Sequence, residues 1–153
     1  MTRAVKVIAG LLAIELFVRS IDYLTGDTYS TGQIEDNLSM PVVWGSTGLA
    51  AVVVVLFGLL RKKPFVVQTG SLIPFAIYVM FAFQIFEMRM LPYPWPPEDT
   101  RLVATHLTFA GLWLTIAVTI WWREYITRRK KEELDRKVPV SYTHLTLPTT
   151  PYV

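Results

Sequence analysis

Long apolar blocks alternate with short polar ones along this chain. The apolar blocks cover residues 5–24, 41–60, 65–88 and 101–122. Each is about as long as a helix must be to cross a bilayer core of ~30 Å at ~1.5 Å per residue. The polar blocks read as connections. Residues 22–40 are rich in Gly, Asp and Ser, which favour turns. Arg61-Lys62-Lys63-Pro64 reads as a tight basic turn, and Pro41 suits a helix start. Residues 89–100 carry prolines at 92, 94, 96 and 97, which favour a stiff, extended loop. Within that loop Tyr93 and Trp95 suit anchoring at a membrane interface. Pro74 is expected to kink the third helix. Short connections make sequential helices antiparallel. The expected fold is therefore all-α, an integral membrane protein built as an antiparallel four-helix transmembrane bundle. Residues 1–137 form its one domain.

Composition agrees with this pattern. Hydrophobic residues make up 52% of the chain and charged residues 18%, which fits lipid-embedded helices better than a water-soluble core. The absence of cysteine excludes disulfides, thiolate metal sites and cysteine nucleophiles. The placement of charge matters more than its net value of +3. Basic residues gather at Arg3 and Lys6, at Arg61–Lys63, and in the tail 123–137 (REYITRRKKEELDRK), whereas residues 22–40 contain none. The positive-inside rule then places both termini and the middle turn in the cytoplasm of a bacterium. Residues 1–20 also resemble a signal peptide, with Val18-Arg19-Ser20 as a cleavage pattern. Glu15 inside the apolar run argues against cleavage, so the first span is expected to be retained. The tail's interspersed Glu132, Glu133 and Asp135 suit a solvated helix with internal charge pairs.

The first block holds three charges, Glu15, Arg19 and Asp22, on one side of a helix. Charge is expensive within a bilayer, so this side is expected to face protein or water. Counting the rise along antiparallel helices puts Glu15, Arg19, Asp22, Gln84, Glu87, Arg101 and His106 at one level, in the outer third of the membrane. They read as an ion-pair network locking the helices together, or alternatively as a polar cavity for a proton, an ion or a small ligand. His106 could titrate there, with Glu15 or Glu87 as partner. Gly45 and Gly48 in the second block are expected to allow close helix approach. Thr108, Gly111 and Thr115 form a small-residue stripe on the fourth that reads as another packing face.

No nucleotide loop, hydrolase elbow, dinucleotide fingerprint or closely spaced metal-ligand pair is present, so the expectation is a non-enzyme without metal or cofactor. Basic residues flank membrane spans and do not gather on a soluble face, which argues against nucleic-acid binding. The triplet Asn37-Leu38-Ser39 fits a glycosylation sequon, to which little weight attaches. Val140 to Thr149 (VSYTHLTLPT) resembles a translated sequencing adapter, so residues 138–153, His144 included, are read as a non-native tail. Residues 1–137 resemble, in size, span number and charged tail, two groups of small membrane proteins, the holins and the DoxX-like proteins. No motif carries that resemblance, so it assigns no residue roles. It implies a self-associating or accessory membrane component, whose partners are the bilayer and either a second copy or a larger complex. The alternative is a small carrier or membrane-enzyme subunit using the polar cluster.

Overall fold

A computed structural model describes residues 1–25, 41–89 and 101–137. These form four α-helices: α1 (Arg3–Thr25), α2 (Pro41–Leu60), α3 (Pro64–Arg89) and α4 (Arg101–Lys137). The sequon, the Tyr93 and Trp95 anchors and the adapter-like tail lie outside the described residues. Helices α1 to α3 match the apolar blocks to within two residues. Helix α4 does not stop at Trp122, because its charged continuation contains no Gly or Pro to end it. The chain divides there into two units, Met1–Trp122 and the segment from Arg123. In the second unit Arg129 Nε donates to the Tyr125 hydroxyl at 3.0 Å, with its guanidinium over the same ring.

The turn between α2 and α3 shows how a basic sequence makes a sharp stop. Lys63 N–H donates to Gly58 O at 2.9 Å and Lys62 N–H to Leu59 O at 3.3 Å, which together cap the end of α2. The cap requires a left-handed residue, and Lys62 occupies it at φ 54°. Pro64 then opens α3. A side chain costs energy in that conformation and glycine does not, so Lys62→Gly is expected to raise stability by about 0.5–1 kcal/mol. Thermal unfolding in detergent micelles checks this as a raised midpoint.

Helix α2 approaches α1 on one side and α3 on the other with closely spaced backbones. Gly45 meets Ser20 and Leu24, while Gly48 meets Leu16 and Ser20. Gly58 faces Val67, and Gly70 faces Val54 and Val55. In both pairs the register rises on one helix as it falls on the other. Helix α4 instead joins through larger side chains. Its buried stripe is Val103, His106, Ala110, Trp113, Ala117 and Ile120, at alternating spacings of three and four. Trp113 is fully buried in a core shared with Leu12, Leu16, Val52, Val55, Val67 and Tyr78. Helix α3 runs through Pro74 without ending there, and that proline is buried.

Three helices contain stretches long and apolar enough to cross a membrane, within Val42–Leu60, Pro64–Glu87 and Arg101–Arg136. Helix α1 does not meet that standard, because Lys6, Glu15, Arg19 and Asp22 interrupt its apolar run. All four helices nonetheless expose large apolar side chains, among them Leu11, Ile14, Val53, Phe65, Phe83, Leu107 and Val118. A surface of that kind is costly in water and favourable in lipid.

Candidate functional site

The strongest polar constellation joins α1, α3 and α4. Glu15 and Arg19 lie one turn apart on α1, and Arg19 Nε donates to Glu15 Oε1 at 3.0 Å. The Tyr78 hydroxyl, from α3, donates to the other oxygen, Glu15 Oε2. From α4, His106 places Nε2 at 3.2 Å from Arg19 Nη1 and Nδ1 at 2.7 Å from Leu102 O. A guanidinium only donates and a carbonyl only accepts, so one arrangement of protons satisfies both contacts. That arrangement puts a proton on His106 Nδ1 and directs the Nε2 lone pair at Arg19.

Aromatic rings enclose this core. The Arg19 guanidinium lies over the Tyr78 ring at 5.5 Å and the Phe109 ring at 6.0 Å, and those two rings stack at 5.4 Å. Phe81 presents an edge-on contact to His106 and stacks on Tyr23, with Trp44 of α2 on its other flank. Such rings supply cation–π attraction and a low-dielectric wall that strengthens the ion pair.

Of the seven residues expected to cluster, the structure brings together three: Glu15, Arg19 and His106. Asp22, Glu87 and Arg101 are exposed. Gln84 is half-buried and makes no side-chain hydrogen bond among the described residues. Helix geometry accounts for Asp22. At ~100° per residue it sits ~120° around α1 from the buried Leu16, and its side chain is short. Arg19 is only ~60° away and long enough to reach α4.

Sequence reasoning passed over Tyr78. The available signal was a phenol in the middle of an apolar span, away from either interface, where its hydroxyl needs a buried partner. It also passed over Ser20, which is buried against Gly48 and donates to Leu16 O at 2.7 Å.

The glycine expectations divide. Gly45 and Gly48 do seat α1 against α2. Thr108, Gly111 and Thr115 lie on the exposed face of α4, away from the other described helices. A Cβ at Gly111 meets no atom within 4 Å. Both threonine hydroxyls satisfy themselves locally, on Ala104 O and Gly111 O. In a helix apolar all round, hydropathy does not distinguish the buried face from the lipid-facing one.

Comparison of the chain with protein-family models, with curated proteins and with solved structures finds no match.

Proposed function

We propose that the protein is a small multi-pass component of a bacterial cytoplasmic membrane, an antiparallel four-helix bundle with both termini in the cytoplasm. Its role on this reading is non-enzymatic: it associates with itself or serves as an accessory subunit, with holin-like permeabilisation as one form. The observation that carries the reading is the division of surfaces. Large apolar side chains cover the outside of all four helices, while Glu15 and Arg19 turn toward partners on α3 and α4. That pairing makes α1 tolerable as a fourth span despite its charges. The basic turn Arg61–Lys63 and the basic tail supply the orientation.

Topology is tested by single cysteines in this cysteine-free chain. Cysteines at 61–63 should resist an impermeant thiol reagent added to intact cells and react after the cells are opened; labelling from outside sinks the orientation. Self-association is tested at Gly111. Gly111→Leu leaves the monomer fold unchanged, because the site faces open space. If copies pack along that face, the substitution should abolish crosslinked dimers. A membrane-potential dye examines the holin-like form: cells that express the protein and stay polarised argue against it.

The second reading is a carrier or membrane-enzyme subunit using the polar cluster. It is favoured by the partial exposure of that cluster: the Arg19 and Glu15 side chains remain 29% and 26% accessible.

A further inference from the structure

One end of the unit Met1–Trp122 gathers cations without matching carboxylates. Helix α1 begins there with Arg3 and Lys6, and the turn between α2 and α3 adds Arg61, Lys62 and Lys63. The contacts of Gly45 and Gly48 with Leu16, Ser20 and Leu24 set the register of α1 on α2. Carried to the end of α2, that register brings Leu59 beside Val5, and both side chains pack on the same core. The basic turn and the basic start of α1 therefore share one end of the unit. Among its described residues the carboxylates are Glu15, Asp22 and Glu87. Glu15 is ~13 Å along α1 from Lys6 at ~1.5 Å per residue, farther than a Debye length of about 8 Å. It is also held already by Arg19 and the Tyr78 hydroxyl. Arg3, Lys6 and the three cations of the turn form no ion pair among the described residues.

The surface next to the turn is hydrocarbon. Leu60 and Phe65 flank it and are largely exposed, and Phe57 lies exposed one turn back along α2. The Arg61 guanidinium lies over the Phe57 ring at 5.5 Å. The ring covers one face of the guanidinium and leaves its N–H bonds in the plane, the geometry that suits phosphate oxygens. Lys62 holds φ 54°, a conformation in which glycine is the unstrained residue. The turn thus carries backbone strain and a cation where it could have had neither. Cations at the end of an apolar stripe complement a phospholipid, whose acyl chains lead to a phosphate.

We propose that the Arg61–Lys63 turn, with Arg3 and Lys6 beside it, docks the headgroup of an anionic phospholipid. The phosphate oxygens accept charge-assisted hydrogen bonds from Arg61 and the two lysines. The acyl chains lie along Leu60, Phe57 and Phe65. A headgroup with net negative charge balances the cations of this end, whereas a zwitterionic one brings its own cation and leaves them unbalanced. Each basic residue near an anionic lipid surface strengthens the attraction about fivefold. Free phosphate offers the same oxygens but nothing to cover the apolar flank, so the lipid is the occupant. The inference rests on the membrane reading and adds the lipid class to it. It is independent of which side of the membrane the turn faces.

The test uses the full chain in dodecyl maltoside micelles, whose uncharged headgroup offers no competing phosphate. Phosphatidylglycerol and phosphatidylcholine with identical acyl chains are titrated in separately, and bound lipid is counted by native mass spectrometry. The wild type is expected to bind the anionic lipid about tenfold more tightly or better. Arg61→Gln/Lys62→Gln/Lys63→Gln should cut that preference to about twofold or less. Arg128→Gln/Arg129→Gln/Lys130→Gln/Lys131→Gln, in the tail, should leave most of it in place. Lys62→Gly alone should weaken the preference while raising the unfolding midpoint, a pair of changes that a purely structural lysine would not give. Inorganic phosphate should not displace the lipid. The proposal is overturned if the wild type binds both lipids equally, if the turn variant keeps its preference, or if phosphate displaces the lipid. If the triple variant does not fold, Lys62→Gly decides. A chain whose cysteines label as expected but which ignores lipid charge would sink this inference and leave the topology standing.

Discussion

Glu15→Leu should be the most damaging single substitution in this protein, at about 3–5 kcal/mol, because it leaves Arg19 charged in an apolar setting. It also strips the Tyr78 hydroxyl of its acceptor, and Tyr78 is fully buried. The expected remedy is a second removal. Glu15→Leu/Arg19→Leu should recover most of the loss, since replacing a buried pair by apolar groups is often neutral or stabilising. Adding Tyr78→Phe should recover a further ~1–3 kcal/mol by removing the orphaned hydroxyl. Reversible unfolding in mixed micelles, run as a mutant cycle, measures each step. A single substitution costing less than the double would mean that the pair does not act as a unit.

Gly48→Ala should cost about 1–3 kcal/mol, for a steric reason. The added methyl would overlap Ser20 Oγ, which α1 presses directly onto α2 at that point. Ser20 Cβ, by contrast, lies 3.4 Å from the new carbon. Ser20→Ala removes the obstructing oxygen and leaves a contact that a slight shift accommodates. Gly48→Ala should therefore be much less harmful in a Ser20→Ala background, a coupling of the sign expected when two groups compete for one space. Gly45→Ala has no such remedy. Its methyl would sit 2.8 Å from the Ser20 backbone carbonyl, which no side-chain change moves. Equal costs for Gly48→Ala in both backgrounds would rule out this contact as the cause.

Much of the architecture was legible beforehand. Apolar length, turn residues and the placement of Lys and Arg are local properties, and they located all four helices closely. The rise per residue sufficed to put Glu15, Arg19 and His106 at a common level, although 87 residues separate Arg19 from His106. It could not tell which residues at that level face inward. Asp22, Glu87 and Arg101, expected at the same level by that count, are exposed, because inclusion depends on azimuth and reach.

Sequence alone determined that this chain makes four helices from four long apolar blocks, and that the first carries charges needing partners. Tertiary structure decided who those partners are. It supplied Tyr78 to the second oxygen of Glu15, set His106 between Arg19 and the Leu102 carbonyl, and turned the Thr108–Thr115 stripe outward. The physical reason is that hydrophobicity records how much a side chain avoids water. It says nothing of shape once nearly every neighbour is apolar. In such helices the packing face is chosen by fit, by Gly48 against Ser20 and by Trp113 within the shared core, and fit exists only when the helices meet.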